Sequence, residues 1–190
     1  MEYYDQMVES ADPIGIDKSS RHRHIVGRFG EYLVCNWLSR SGFEVCVVDH
    51  TGLDVLAYHP DRNQRLGITV KARTRSAGTE TGTVYVFRAA KSENQKDDRQ
   101  KLLDACKAFS CEPWIAVYAE CDAHADLFLT SLANYDKKYR VQDRQVDGWR
   151  MKEKHVSEYG GDSEVRHIRI EFKAAHWWEN QRKQAAPDIS

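Results

Sequence analysis

The chain has no apolar run approaching the roughly 20 residues that a helix needs to cross a bilayer, which excludes a helical membrane span. Its opening, Met1-Glu2-Tyr3-Tyr4-Asp5, is acidic and lacks the basic-then-apolar order of a secretory signal, so the expected setting is cytoplasmic. There is no C-x-x-C pair among the five cysteines, Cys35, Cys46, Cys106, Cys111 and Cys121. An odd count without paired spacing argues against a disulfide framework or a zinc knuckle and for reduced thiols. Cys35 and Cys46 sit in apolar sequence and are expected to behave as small core residues. No P-loop, zinc-finger or leucine-zipper pattern is present, nor any repeat or low-complexity segment. The sequence therefore offers no NTP motor and no separate recognition element. An excess of charge is missing too: the net charge is −1.

What is present is a chain of 190 residues, 41% hydrophobic and 30% charged, enough for one proper core. The expected organisation is a loose leader over 1–20, one α/β domain over 21–175 with a polar surface excursion at 140–163, and a C-terminal tail over 176–190. The near-neutral total hides local asymmetry. Residues 1–12 carry Glu2, Asp5, Glu9 and Asp12 without a Lys or Arg. Residues 17–30 carry Lys18, Arg21, Arg23 and Arg28 against Asp17 alone, and Lys71, Arg73 and Arg75 alternate with no acid among them. Such stripes on a neutral chain suit a polyanion, although any one of them alone reads equally well as a solvated face. His22 and His24 fall within one of these stripes and read as part of a basic patch.

Periodicity predicts a helix from about Ile25 to Ser39, with Phe29, Gly30, Leu33, Val34, Trp37 and Leu38 on one apolar arc and Glu31 just past its edge. Three strands are predicted to follow, at Phe43–Val48, Leu53–Tyr58 and Leu66–Arg73, with Asp49-His50-Thr51-Gly52 as the first turn. The Gly/Ser/Thr-rich 76–82 segment reads as a mobile loop, and Thr83–Phe87 as a fourth strand. Tyr85 and Phe87 are expected on one face of that strand, as core packing or as platforms for bases. Beyond it come a helix from Asp97 or Asp98 to Ser110 and strands at Trp114–Ala119 and Leu127–Thr130. A short helix at Leu132–Tyr139, an edge strand at Val165–Phe172 and a short helix from Trp177 complete the chain. The class is α/β, with helices packed on a mixed sheet.

Glu31, Asp54 and Lys71 stand out together. Consecutive strands joined by a short turn usually pair, which would bring Asp54 beside Lys71. Taken singly, Asp54 is a turn residue, Lys71 a solvent-facing strand residue and Glu31 a surface acid. Together they match how a divalent-metal phosphodiesterase site is assembled. Carboxylates hold Mg²⁺, the metal lowers the pKa of its bound water, and a lysine contacts the phosphate.

Gly27-Arg28-Phe29-Gly30-Glu31 resembles the G-x-x-G-E helix of Holliday-junction-resolvase-like members of the PD-(D/E)xK nuclease superfamily. Gly52-Leu53-Asp54 resembles their G-[ILV]-D, and Ile68-Thr69-Val70-Lys71 their strand ending in [EQ]-V-K; the resemblance spans roughly residues 24–75. It implies a restriction-endonuclease-like fold and a Mg²⁺- or Mn²⁺-dependent DNA endonuclease, with branched or structured DNA among its substrates. Asp54 and Glu31 would hold metal, and Thr69 and Lys71 would complete the catalytic set. Arg21, Arg23, Arg28, Arg73 and Arg75 would contact the nucleic acid, DNA before RNA, and the resolvase likeness implies a homodimer. One departure matters: Thr69 stands where the family has Glu or Gln and brings no charge. The alternatives are therefore a nuclease-fold module that binds nucleic acid without cleaving it, or a protein-interaction domain.

Overall fold

The computed structural model describes residues 18–76, 78–90, 95–141 and 146–173. Residues 1–17 of the expected leader and the expected helix from Trp177 lie outside the described residues. The first element, α1 (His22–Ser39), ends where Gly42 adopts φ +87° and the Phe43 amide donates back to the Leu38 carbonyl at 3.1 Å. This is the left-handed stop that favours glycine. Its buried face is Val26, Gly30, Val34, Cys35 and Leu38; Phe29, expected within the face, is about half exposed.

Strands β1 (Glu44–His50), β2 (Leu53–His59) and β3 (Gln64–Thr74) form an antiparallel meander. Asp49 and His50 belong to β1 rather than to the turn, which is confined to Thr51-Gly52, and a bulge lies between Val47 and His50. Next come β4 (Val84–Arg88) and α2 (Asp98–Ala108), whose first turn is capped by the Asp97 side chain accepting from the Gln100 amide at 2.6 Å. The chain then returns as β5 (Glu112–Glu120), parallel to β3, and β6 (His124–Ser131), antiparallel to β5. After α3 (Leu132–Lys138), β7 (Val146–Trp149) and α4 (Glu153–Gly160), the edge strand β8 (Arg166–Glu171) pairs with β6. The main sheet has six strands in the order β1-β2-β3-β5-β6-β8.

Helices cover both faces of this sheet, the mixed α/β layering that the resemblance implied. The alternation along β5 demonstrates it: Ala116 and Tyr118 pack with Val34 and Leu38 of α1, whereas Ile115, Val117 and Ala119 pack with Leu102 and Ala105 of α2. A strand covered on both faces reads as a continuous apolar run, and β5 does.

Several expectations fail here, each for a physical reason. The 140–163 segment is not a surface excursion, because Trp149, Met151 and Tyr159 are buried in the second core beside Phe128 and Tyr139. A few large side chains anchor an otherwise polar stretch. Strand β4, expected as a strand, pairs with β7 in a sheet of its own. A bulge between Tyr85 and Phe87 puts these two on different sides: Tyr85 is exposed, and Phe87 is buried beneath Arg99. Cys46 is exposed, on the outer side of an edge strand, whereas Cys35 is buried as expected. Among the described residues no helix is long and apolar enough to cross a membrane.

Candidate functional site

Asp54 is placed by its neighbours in sequence. Gly52 sits at φ +99°, and a Cβ there would lie 2.5 Å from the backbone carbonyl of Lys101 in α2. Only glycine allows the hairpin to approach the helix so closely. Leu53 then fills the core on the α2 side, Val55 fills it on the α1 side, and Asp54 lies between them where β2 parts from β3. Its Oδ2 accepts the Val70 amide at 2.6 Å and the Thr69 hydroxyl at 3.0 Å. Two donors to one carboxylate oxygen fix its orientation. Among the described residues no donor bonds the other oxygen.

The pairing of β2 with β3 ends at Val55 opposite Ile68, while β3 runs on to Thr74. The edge from Val70 to Thr74 therefore has a strand neighbour only on the β5 side, and a cleft of about 880 Å³ opens on the other. One wall is α1, with Arg23, Gly27, Arg28, Glu31 and Tyr32. Another is β4, with Tyr85 and Arg88. The floor holds Asp54, Lys71 and Arg73, and the bulged end of β1 adds Asp49 and His50. Glycine at position 30 lets α1 approach the sheet, since a Cβ there would meet that of Ala72 at 3.2 Å. That approach carries Glu31 to the rim.

Of the residues singled out in sequence, Glu31, Asp54, Lys71, Arg23, Arg28 and Arg73 line this one cleft. Thr69, Arg21 and Arg75 do not. Thr69 is only 4% exposed, and its hydroxyl is used in holding Asp54. Arg21 is an exposed residue at the start of α1. Arg75 folds back onto the carbonyl of Gly82 and anchors the loop that follows β3. Sequence reasoning missed Arg88, Tyr32, Asp98 and His50 as lining residues. Alternation on β4 predicts an inward Arg88, and only the bulge, which has no sequence signal, turns it outward.

The electrostatics divide the cleft. At one end burial raises the Glu31 carboxyl above its ordinary range, and the charge of Asp54 raises it further; Arg28 opposes, and Asp49 adds a little. At the other end burial lowers the Arg73 pKa, as do the like charges of Arg23 and Arg88. Arginine stays charged regardless, so this end gathers positive charge.

The donors fit a hard divalent cation: Asp54 and Glu31 offer carboxylate oxygens where a positive charge would relieve their repulsion. The set is small. Among the described residues no group of three or more His, Cys, Asp or Glu side chains gathers as a metal-ligand cluster.

No protein-family model matches the chain. No curated protein matches it. Among solved structures, the chain is similar to Hjc, a Holliday junction resolvase from the archaeal hyperthermophile Archaeoglobus fulgidus, at 16% identity and a TM-score of 0.47; the match covers 70% of this chain and 88% of that one.

Proposed function

We propose that the protein is a divalent-metal-dependent endonuclease acting on DNA, with Asp54, Glu31 and Lys71 at its centre. The observation that carries this reading is the hold on Asp54. Its carboxylate is fixed by Val70 and Thr69 with one oxygen left over, in a cleft that also contains Glu31, Lys71 and the arginines Arg23, Arg28, Arg73 and Arg88, which form no ion pair among the described residues. A carboxylate oriented by a backbone amide is preorganised to receive a cation.

Asp54 and Glu31 would hold the ion. A bound divalent ion supplies an acidified water and neutralises charge on the phosphate. The protein's own groups do the rest. Lys71 donates to a phosphate oxygen, and Arg73, Arg23 and Arg88 hold the backbone so that it lies across Asp54. Phosphate contacts set register without reading sequence. A duplex or junction offers two related strands, which suits action as a homodimer.

A second reading has its own support: a module that binds DNA without cutting it. Thr69 contributes a hydroxyl where a nuclease of this kind has a charged or amide group, and the ligand set is two carboxylates rather than three. Mg²⁺ often binds through one or two carboxylates plus substrate phosphate, so the endonuclease reading is preferred.

Incubation of labelled DNA with Mg²⁺ or Mn²⁺ separates the two. The wild type should nick or cut, and Asp54→Ala should abolish cutting while DNA binding stays the same or tightens, since an anion facing phosphate has gone. Arg73→Ala should weaken binding to all sequences alike and reduce the salt slope by about 1. Cleavage that persists in excess chelator refutes the metal mechanism, and binding without cleavage in both ions favours the second reading.

A further inference from the structure

We infer that the cleft takes a DNA strand whose bases are unpaired, with one base stacked on Tyr85 and an adjacent phosphate held by Arg23, Arg73 and Arg88. The inference rests on the DNA reading above and names the form of DNA that the site prefers.

Tyr85 is 53% exposed and lines the cleft. Its strand is anchored by Val84, Val86 and Phe87, all buried, so the fold does not need the Tyr85 ring. Among the described residues it has no aromatic neighbour and its hydroxyl has no hydrogen-bond partner. A lone exposed aromatic is ordinary and needs no explanation. This one differs in its company. The bulge at Val86 brings Tyr85 and Arg88 to the same exposed side of β4, which regular alternation would not do.

Arg88 in turn meets Arg23 from α1 and Arg73 from β3. Three guanidinium groups from three separate elements line both the main cleft and an adjoining cavity of about 390 Å³. Among the described residues no carboxylate pairs with any of them, although Arg73 lies partly buried. Three converging like charges repel one another, and Asp98, the acid on this side of the cleft, accepts from the Arg88 backbone amide and pairs with Lys101 rather than with a guanidinium, so the three await an anion. The adjoining cavity extends the basic path to Lys18. Tyr32, 62% exposed, stands on the α1 wall next to Glu31 and offers a second platform.

A basic groove with aromatic rings along it is the arrangement that suits single strands. Stacking uses the face of a base, and every unpaired base has one to offer. In a continuous duplex both faces are covered by neighbouring base pairs, and only edges are presented to the grooves. A tyrosine on the cleft wall has no use for such a substrate. It gains a partner when the strand is single, gapped or frayed.

The test measures fluorescence anisotropy of labelled oligonucleotides in chelator at one fixed, low salt concentration, so that no cleavage intervenes. Three probes are used: a single strand, the blunt duplex of the same sequence, and that duplex with a short unpaired gap. Wild type, Tyr85→Ala and Tyr85→Phe are compared, with thermal melts to show that all three are folded. The single strand and the gapped duplex should bind about tenfold tighter than the blunt duplex, or more. Tyr85→Ala should lose about tenfold on those two probes and nothing on the blunt duplex, while Tyr85→Phe should behave as wild type. Equal affinity for the blunt duplex, or a Tyr85→Ala protein that binds the single strand as wild type does, overturns the inference. In that event salt-dependent duplex binding leaves the DNA reading standing. Failure to bind any of the three probes overturns both.

Discussion

Thr69→Glu is the substitution that best tests whether a cation site exists, because it should lower stability without metal and lose that cost when metal is present. The Thr69 hydroxyl lies 3.0 Å from Asp54 Oδ2, and the residue is almost fully buried. A glutamate there loses a hydrogen bond to a charged group, about 1.5–3 kcal/mol. It also brings a second negative charge toward Asp54. Two unit charges about 4 Å apart interact by about 4 kcal/mol at an effective dielectric near 20. The longer side chain will turn into the cleft and relieve part of this, and Lys71 will offset more. A net loss of about 2–4 kcal/mol in metal-free buffer is the result, or a melting temperature lower by roughly 5–15 °C at this chain length.

A divalent ion removes this cost. It interacts with each carboxylate about twice as strongly as Lys71 does, and it gains one more carboxylate in the variant. Metal binding to the folded state alone stabilises it by mass action, so millimolar Mn²⁺ should restore the variant's melting temperature. The wild type should gain only a few degrees, having one carboxylate fewer. Melts in chelator and in Mn²⁺, with calorimetric titration of the ion, read both effects. If Mn²⁺ does not restore Thr69→Glu, or restores it equally well when Asp54 is also replaced by Ala, no cation site is centred on Asp54. The non-cleaving reading then takes over.

Two further outcomes test the scaffold. Gly52→Ala should cost about 2 kcal/mol or more in urea unfolding, because alanine resists φ +99° and its Cβ would strike the Lys101 backbone; the hairpin that carries Asp54 must shift. Asp126 is 2% exposed and accepts from His167 at 2.7 Å and from Arg169 at 2.8 and 2.9 Å. Burial alone would raise its carboxyl, but the hydrogen bonds from His167 and Arg169 outweigh that and bring it down to about 2 from 3.8. A depressed carboxylate stabilises the fold above its unfolded pKa and loses that contribution as pH falls through the folded one. Asp126→Asn should therefore cost about 2 kcal/mol above pH 4 and nearly nothing at pH 2, read by denaturation across that range. A cost independent of pH would show that charge at Asp126 is not what ties β6 to β8.

The first half of the fold was legible because its signals are local. The wheel that predicts α1 and the glycine turn before Leu53 each act within a few residues, and both appear in the structure. That Asp54, Glu31 and Lys71 share one cleft was legible for the same reason, as each sits at a fixed offset from a glycine or on a strand read from its local pattern. The pairing of β4 with β7 is different, because it joins residues far apart in sequence across a stretch whose composition is polar. Trp149, Met151 and Tyr159 were visible, but nothing near them says that they fill the core behind Phe128. Arg88 was missed as a direct consequence, since its direction depends on a bulge opposite β7.

Thr69 shows how far a motif reading reaches and where geometry must replace it. Against the family pattern the residue registers as a loss: no charge, hence a weaker site. In the structure it supplies something, a hydroxyl donor that helps to fix the Asp54 carboxylate. A glutamate at this position could ligate a metal but could not donate to Asp54 unless protonated. The exchange is thus between a third ligand and a better-oriented first one. An oriented carboxylate favours a cation brought in with the substrate phosphate over one held tightly in its absence. The endonuclease reading then requires Mn²⁺ affinity that is weak in the free protein and rises when DNA occupies the cleft. The binding-only reading requires Mn²⁺ and DNA to ignore each other. Linkage makes the coupling measurable from either side, as DNA affinity with and without Mn²⁺ or as Mn²⁺ affinity with and without DNA, and the two must agree.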